Sequence, residues 1–412
     1  MGGQAFADLE SVHKAPINVP RLPPATYQTI ASHIQTKLKT LFARVVIPRE
    51  APGKLDHGDI DFLVCGILSL SPSPSPSPFP PPKASEDAKI SAHHEETQKV
   101  WESVQTLLEC EPHLHISRGT SHSFGIPHPT IPTALVQVDV ELCPNDDLFA
   151  WTHFLKSDSD LLQIIGSNHR HLGLTNNDRG MHVRVAEIEP YDKKKSLISL
   201  TRDPDQAMEI LGLDIEEYHA GFATEEQLFQ WVARGRFFSR RVFEDRSGVE
   251  KHNDRARMAK RPMFRRFVLE YVPAHPEIGQ SEGEEWTRER VLGEALNMFS
   301  KHGEYERMMG DHRVKEAEEA FWKRVKEVVP AQGNSLASAV KGLRRWVDFE
   351  DGMPYITSTR VEETPIWTQN FPLGSLDTVM DWIVRNWGTA KALEKKHAQV
   401  ARESTANNAG VR

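Results

Sequence analysis

The sequence is poor in cysteine and has no long apolar run. Its three cysteines, Cys65, Cys110 and Cys143, include no CxxC pair, which argues against a disulfide framework and against a structural zinc site. Because no run of about 18 apolar residues occurs, we expect no transmembrane helix and no membrane partner. The N-terminal letters MGGQAFADLES contain no basic segment followed by an apolar one. We therefore expect no secretory signal and an intracellular location, cytoplasmic or nuclear.

Several catalytic signatures are also missing. The chain contains no G-x-S-x-G, no P-loop and no G-x-G-x-x-G, so hydrolase, P-loop NTPase and dinucleotide-binding functions have no support. A net charge of −8 over 412 residues gives no global reason to expect nucleic-acid binding. The hydrophobic fraction of 39% and the charged fraction of 26% are ordinary for a globular protein of two or three domains.

The order of the sequence patterns divides the chain into segments. Residues 1–23 are predicted to be irregular, and residues 24–195 mix helical and strand patterns, which predicts an α+β core. Residues 71–83, SPSPSPSPFPPPK, predict an extended and solvated insertion, because proline supports neither a strand ladder nor a helix. Successive helical patterns predict a mainly helical region over 196–400, and we expect a disordered tail over 401–412.

Two aspartates open one predicted strand, in GKLDHGDIDFLVCG. Side chains alternate between the two faces of a strand, so Asp59 and Asp61 point the same way. Ile60 and Phe62 then point into the core. The two carboxylates should therefore share the polar face of a largely buried strand.

A second predicted strand, in ALVQVDVELCP, also has a polar face, formed by Gln137, Asp139 and Glu141. If the two strands are neighbours, three or four carboxylates converge on one face of a sheet. The letters HLHISRGTSHSFGIPHP predict a hairpin beside this strand. That hairpin would bring three further polar residues to the cleft: Arg118, Ser121 and Ser123.

Converging carboxylates repel one another unless a cation lies among them. Hard divalent cations such as Mg²⁺ prefer oxygen ligands of this kind. Two such ions held by three carboxylates form the usual clamp for phosphoryl or nucleotidyl transfer. The alternative is an edge strand with a solvated polar face, which would show the same D-x-D pattern.

The residues around these carboxylates resemble the nucleotidyltransferase superfamily, in particular the polymerase β-like family X DNA polymerases. In that family G-D-x-D opens a strand after a short glycine loop, and a third aspartate lies on a later strand. The matching residues are Gly53, Lys54, Gly58, Asp59, Asp61 and Asp139. A later segment of the family, an aromatic helix that leads to Y-F-T-G-S, resembles the segment that ends at Ser157. The resemblance covers about residues 42–185.

The resemblance implies a fold, a site and an activity. The fold would be a nucleotidyltransferase-type mixed sheet with flanking helices, followed by a mainly helical C-terminal region. Asp59, Asp61 and Asp139 would be catalytic and would hold two Mg²⁺ ions, with Mn²⁺ as a substitute. Those ions would act on an NTP whose nucleotidyl group is transferred to a hydroxyl of RNA, protein or a small molecule. The nucleotide-binding residues would be Gly58, Arg49, Lys54 and Ser157.

One loop departs from the family pattern. Where the family has Gly-Ser, this chain has Pro48-Arg49, so Arg49 or Lys54 would have to supply the charge that cradles the phosphates. This departure motivates an alternative function, a non-catalytic protein that keeps the fold for binding or as a scaffold.

Residues 234–267 form a basic stretch with twelve Lys/Arg and four Asp/Glu. Phosphate or RNA binding is one interpretation, and a solvated face paired with acidic segments is the other. Four aromatic residues of this stretch are predicted to lie in the core: Phe237, Phe238, Phe264 and Phe267.

Overall fold

The computed structural model describes residues 5–6, 17–68, 86–247, 258–279, 286–372 and 374–409, with the backbone alone for 86–96, 245–247 and 402–409. The proline-rich insertion predicted over 71–83 lies outside the described residues. The chain forms two compact units, Met1–Lys301 and His302–Arg412. The fold is α+β, with a mixed sheet in the first unit and a mainly helical C-terminal region.

A five-stranded sheet organises the first unit. Its strands are β1 (Phe42–Val46), β2 (Ile60–Ile67), β3 (His115–Arg118), β4 (Ser121–Pro127) and β5 (Leu135–Leu142). The spatial order is β1-β2-β5-β4-β3. β2 and β5 run parallel, whereas the other neighbouring pairs are antiparallel. The predicted hairpin, β3–β4, therefore lies beside β5, as expected.

Two helices cover the apolar face of this sheet: α1 (Pro24–Leu38) and α2 (Glu86–Leu107). The alternate residues of β2 and β5 point toward them and are buried: Ile60, Phe62, Val64, Val136, Val138 and Val140. Ile34 of α1 and Val104 of α2 pack in the same cluster. The predicted division of both strands into an apolar and a polar face is confirmed.

The next two helices along the chain are α3 (Asp146–Lys156), which packs on β2, and α4 (Leu161–His169). Asn145 caps α3 by accepting a hydrogen bond from the Leu148 N–H at 2.9 Å. Asp146 and Asp147 stand in the first turn, where the helix dipole favours negative charge. Because α3 packs on β2, its last residue, Lys156, is carried toward the carboxylate face.

A second sheet was not predicted. It contains β6 (Leu174–Asn177), β7 (Gly180–Arg184) and β8 (Leu197–Thr201), in the order β6-β7-β8, all antiparallel. The domain boundary predicted between residues 195 and 196 is wrong, because β8 pairs with β7 across it. Short strands with mixed polarity, such as LTNN, give only a weak periodic signal.

The described elements that follow β8 in the first unit are helical. They are α5 (Pro204–Leu211), α6 (Ile215–Ala220), α7 (Glu225–Ala233), α8 (Arg240–Ser247), α9 (Pro262–Arg266), the π-helical turn Phe267–Tyr271, α10 (Val272–Ala274) and α11 (Arg288–Met298). The four phenylalanines predicted to be core residues are all buried: Phe237, Phe238, Phe264 and Phe267. The aromatic residues of the basic stretch therefore stabilise the fold.

The second unit contains three long helices and a hairpin: α12 (His302–Val328), α13 (Gly333–Arg345), β9 (Val347–Glu350), β10 (Met353–Ile356) and α14 (Leu376–Ala409). The disorder predicted from residue 401 is wrong as far as Ala409, because α14 continues. Polar helix formers without proline or glycine fill its end up to Gly410. Among the described residues, no helix is both long enough and apolar enough to cross a bilayer.

The close approach of α13 and α14 depends on Gly342. A Cβ atom at this position would lie 2.4 Å from the carbonyl oxygen of Ala390, so the helices would have to separate. We expect Gly342→Ala to lower the free energy of unfolding by about 1–3 kcal/mol in urea titrations followed by circular dichroism. Gly388→Ala is the control, because its Cβ meets nothing within 4 Å. Alanine should raise helix stability there by about 0.5–1 kcal/mol, and equal effects of the two changes would contradict this packing.

Candidate functional site

The pairing of β2 with β5 brings the predicted carboxylates together. In the parallel register Asp61 lies directly beside Asp139, and neighbouring strands are about 4.8 Å apart. On the other side of β5, Ser123 of β4 lies opposite Asp139, and its side chain hydrogen-bonds to that carboxylate. The expectation that the two acidic strands are neighbours is confirmed. Of the three hairpin residues predicted near the cleft, Ser123 makes this contact.

Asp59 is positioned by the loop between β1 and β2, which the N-terminal segment braces. Leu22 and His57 exchange two backbone hydrogen bonds, of 2.7 and 2.9 Å. The exposed Arg21 side chain pairs with Asp56 in the same loop. Gly58 is buried immediately before Asp59. The N-terminal segment, predicted to be irregular, therefore holds in place the loop that leads into the D-x-D motif.

A cavity of about 400 Å³ lies at this point of the first unit. Three acidic residues line it, Glu50, Asp59 and Asp61, and so do four basic residues: Arg49, Lys54, Lys156 and Arg261. The remaining lining is mixed, with Tyr27, Pro48, Leu155, Ser159, Leu162 and Gln163. Charges of both signs on one cavity suit a ligand that carries phosphate together with a cation.

Asp61 is the most perturbed of the predicted site residues. Burial, followed by the negative charge of Asp59, raises its pKa to about 7, although the Lys156 ammonium acts in the opposite direction. Asp139 and Glu50 add smaller contributions of the same sign as Asp59. The carboxylates therefore lie within electrostatic reach of one another.

Asp139 is held by neutral hydrogen-bond donors. The Gln137 Nε2 donates to both carboxylate oxygens, at 3.1 and 2.9 Å. Burial raises the pKa of Asp139, and the bonds from Ser123 and Gln137 only partly offset this. In the described part of the chain, no group of three or more His, Cys, Asp or Glu has an arrangement that could hold a metal ion. The three aspartates thus lie close together without forming a ready-made common coordination sphere.

Lys156 introduces a positive charge among these carboxylates. Its Nζ lies 2.5 Å from the Oε2 of Glu141, which is on the same face of β5 as Asp139. Burial opposes the charged form, but the bond to Glu141 and the charges of Asp61 and Asp139 outweigh it, and the pKa of Lys156 is raised. Lys156 therefore stays protonated at neutral pH.

Lys54 belongs to a second network on the loop. Its Nζ lies 2.5 Å from Glu50 Oε2, and His57 Nδ1 lies 3.1 Å from Glu50 Oε1. The imidazole of His57 stacks on Tyr27, with 3.8 Å between the ring centroids. Tyr27 also bonds to Glu50, and burial together with the nearby carboxylates raises the pKa of its phenol. The network holds Glu50 and Lys54 at the cavity wall.

Arg49 lines the cavity, but its guanidinium is bound within the protein. Nε and a terminal nitrogen donate to Asp158 Oδ2 at 3.2 and 2.7 Å, and the other terminal nitrogen donates to the Tyr218 carbonyl at 2.6 Å. The group also stacks over the Tyr218 ring, 4.2 Å from its centroid. Ser157 is fully buried, accepts the Arg49 backbone N–H at 3.3 Å and bonds to Tyr218. Arg49 and Ser157, two of the four residues predicted to bind nucleotide, therefore join the loop to α3 and α6.

Arg261 reaches the cavity from the basic stretch. Asp160, which is buried, accepts the backbone N–H groups of Met263 and Phe264 at 3.1 and 3.3 Å and so caps α9. Arg261, the residue before α9, lies 3.3 Å from the same carboxylate. One cation of the stretch is thereby placed at the cavity.

Other arginines of the basic stretch have protein partners. Within its described residues, the ion pairs are Arg234–Glu217, Arg236–Glu294, Arg240–Glu244 and Arg266–Glu225. These four arginines therefore pair with acidic residues of the protein, as the second interpretation of this stretch expects.

Comparisons with known proteins add little to this geometry. No protein-family model matches the chain, and a search of curated proteins finds no match. Among solved structures, the ternary P/T complex of Leishmania infantum polymerase beta matches with a TM-score of 0.32 and 13% identity, covering 48% of this chain and 75% of that one. A likeness of this size carries no weight for function, so a functional assignment depends on the residues of the site.

Sequence reasoning did not identify five of the residues that shape the site as functional: Tyr27, Glu50, Gln137, Lys156 and Arg261. Gln137 had a usable signal, because it shares the polar face of β5 with Asp139. Glu50 belongs to the loop before Asp59, whereas Tyr27, Lys156 and Arg261 come from more distant segments. The contribution of all four depends on tertiary packing.

Replacing Arg49 tests whether this residue stabilises the fold or binds nucleotide. Arg49→Met leaves Asp158, whose side chain is 3% exposed, without its counter-charge. We expect the free energy of unfolding in urea to fall by about 2–4 kcal/mol. Arg21→Met is the matched control, since its pair with Asp56 is exposed and should cost less than about 1 kcal/mol. Unchanged stability with weakened nucleotide binding would instead assign Arg49 to the ligand.

The raised pKa of Asp61 predicts a specific pH dependence of stability. The usual pKa of an aspartate is 3.8, whereas that of Asp61 in the folded protein is about 7. Between these two pH values, Asp61 is protonated in the folded protein and ionised in the unfolded chain. Stability from this group is therefore lost as the pH rises through that window. Asp61→Asn should be more stable than wild type at pH 8, by on the order of 1–4 kcal/mol, and the gap should vanish below about pH 4.

The measurement is thermal or urea unfolding from pH 4 to 8 in EDTA. Asp56→Asn, which changes an exposed carboxylate outside the cavity, is the control. A stability gap for Asp61→Asn that grows toward acid pH would contradict this assignment.

Proposed function

We propose that this chain is a Mg²⁺-dependent nucleotidyltransferase that transfers a nucleotidyl group from an NTP to a hydroxyl of RNA, protein or a small molecule. The observation that carries the proposal is the parallel register that places Asp61 beside Asp139. A second observation supports the proposal: Asp59 and Asp61 line the same cavity as Lys54, Lys156 and Arg261.

The donor set suits a divalent cation. Asp59 and Asp61 line the cavity with carboxylate oxygens, which Mg²⁺ prefers. Burial and the negative charge of Asp59 raise the pKa of Asp61. When bound, the cation would neutralise this charge and polarise a phosphate oxygen. Asp59 and Asp61 are its proposed ligands.

The cations of the cavity would bind the triphosphate. Lys54 comes from the loop, Lys156 from the end of α3 and Arg261 from the residue before α9, so three separate elements contribute positive charge. Their side chains would take over the phosphate-binding role of the Gly-Ser turn in the family that this sequence resembles. The apolar side chains of Pro48, Leu155 and Leu162 would exclude water on one side of the ligand.

The attacking hydroxyl needs a proton acceptor. Asp139 is fixed by Gln137 and Ser123 beside Asp61, and its pKa is raised by burial, which suits a general base. The acceptor oxygen would bond to the α-phosphorus as the bond to the leaving pyrophosphate breaks, and the hydroxyl proton would pass to Asp139.

A nucleotide-binding panel tests the proposal first. Each of the four NTPs should raise the melting temperature of the full chain by several degrees in Mg²⁺ and by little in EDTA, because only the folded state binds. Asp61→Asn should lose the Mg²⁺-dependent part of the shift, whereas Asp56→Asn should keep it. Nucleotide shifts that ignore both Mg²⁺ and Asp61→Asn would remove the proposal.

Transfer itself is tested with labelled NTPs, in Mg²⁺ and in Mn²⁺, against the protein itself and RNA as acceptors. Label should appear with wild type and fall by at least ~100-fold with Asp139→Asn, since general-base catalysis contributes roughly 10²–10⁴-fold.

The second candidate is a non-catalytic protein that binds nucleotide or serves as a scaffold. Arg49 and Ser157, where phosphate contacts were expected, are bound within the protein, and this favours it. Mg²⁺-dependent nucleotide binding without label transfer would support this second function over the first.

A further inference from the structure

The carboxylate of Asp139 is already covered where a metal ion would chelate it. The Gln137 Nε2 bonds to both oxygens, at 3.1 and 2.9 Å, and therefore occupies the bidentate position between them. Ser123 donates a further hydrogen bond to the same group. A cation could chelate both oxygens of Asp139 only by displacing the amide.

The amide of Gln137 is not free to turn away. Its side chain is 3% exposed, and its Oε1 accepts the backbone N–H of Ala5 at 2.9 Å. This bond identifies the oxygen end of the amide and aims the NH₂ end at Asp139. Releasing Asp139 would leave a buried amide without its acceptor, which is costly.

Lys156 adds a second obstacle to a metal ion at Asp139. Its ammonium lies 2.5 Å from Glu141, two residues after Asp139 on the same face, and it interacts electrostatically with both Asp61 and Asp139. A divalent cation at Asp139 would be repelled by this charge. The same charge acts on Asp61 as well. What distinguishes Asp59 and Asp61 is that they line the cavity, whereas the Gln137 amide covers Asp139.

We infer that this site takes one divalent cation, on Asp59 and Asp61, and that Lys156 supplies the positive charge which a second ion would give in a two-ion clamp. The inference rests on the proposed function, because it concerns the same cavity. It replaces the two-ion expectation with a mixed site, in which the Gln137 amide keeps Asp139 free of metal.

Counting bound Mn²⁺ tests the inference without any measurement of activity. Wild-type protein is equilibrated with Mn²⁺ and a non-hydrolysable NTP analogue, and bound metal and bound nucleotide are both measured. We expect one Mn²⁺ per bound nucleotide. Asp61→Asn should weaken Mn²⁺ binding by about tenfold or more, whereas Asp139→Asn should change it less than about twofold.

Removing the covering amide should change the count. Gln137→Ala opens the bidentate position of Asp139, and we expect it to admit a second Mn²⁺ that wild type does not bind. Gln98→Ala, at an exposed glutamine that bonds to Glu102, is the matched control and should keep one. Lys156→Gln should tighten Mn²⁺ binding several-fold, because it removes a repelling charge.

The outcomes separate the inference from the proposed function. Two Mn²⁺ per nucleotide in wild type, or a tenfold loss with Asp139→Asn, would overturn the single-cation site and leave the nucleotidyltransferase proposal standing. No Mn²⁺ binding with or without nucleotide would overturn both. If circular dichroism shows that Gln137→Ala does not fold, the wild-type count and Asp139→Asn decide the matter.

Discussion

The parallel pairing of β2 with β5 is the contact on which the candidate site depends. Ile60 and Phe62 on one strand and Val138 and Val140 on the other are buried under α1 and α2, and their packing fixes the register. A slip by one residue would turn an entire set of apolar side chains to the polar face. Asp61 meets Asp139 because the apolar residues between the charges have only one well-packed alignment. The core therefore holds together carboxylates that repel one another.

Repulsion of this kind needs local compensation, and the first unit supplies it in two layers. Within the carboxylate face, Lys156 and the Gln137 amide act directly on Asp61 and Asp139. Around it, buried ion pairs anchor the elements, as Arg49 does by joining the loop after β1 to Asp158. Ion pairs such as Arg49–Asp158 fix backbone positions around the site. Within the carboxylate face, Lys156 and Gln137 offset only part of the burial and repulsion that raise the pKa of Asp61 and Asp139. An undercompensated carboxylate on an open cavity is a feature of binding sites more than of stable cores.

Sequence patterns predicted the parts of this arrangement that depend on strand alternation. The apolar and polar faces of β2 and β5, the hairpin beside β5 and the buried phenylalanines of the basic stretch all follow from local periodicity. The role of Arg49 did not follow, because Asp158 and Tyr218 meet it only after α3 and α6 have packed. Arg261 is a similar case, since the capping of α9 by Asp160 places it. The second sheet escaped prediction because its short strands, such as LTNN, mix polar and apolar residues without a clear period.

The loop PREAP, residues 48–52, departs most from the resembling family, and its structure suggests how the departure is accommodated. A glycine-rich turn binds phosphate through backbone N–H groups, with geometry set by the chain itself. Here two prolines remove such donors, and Glu50 instead holds Lys54 at the cavity wall. Phosphate would then be bound by side-chain ammonium and guanidinium groups from three elements. Such groups select for charge more than for shape, since lysine is a flexible point charge. A site built this way would recognise the triphosphate first, and would leave the choice of base and acceptor to contacts elsewhere.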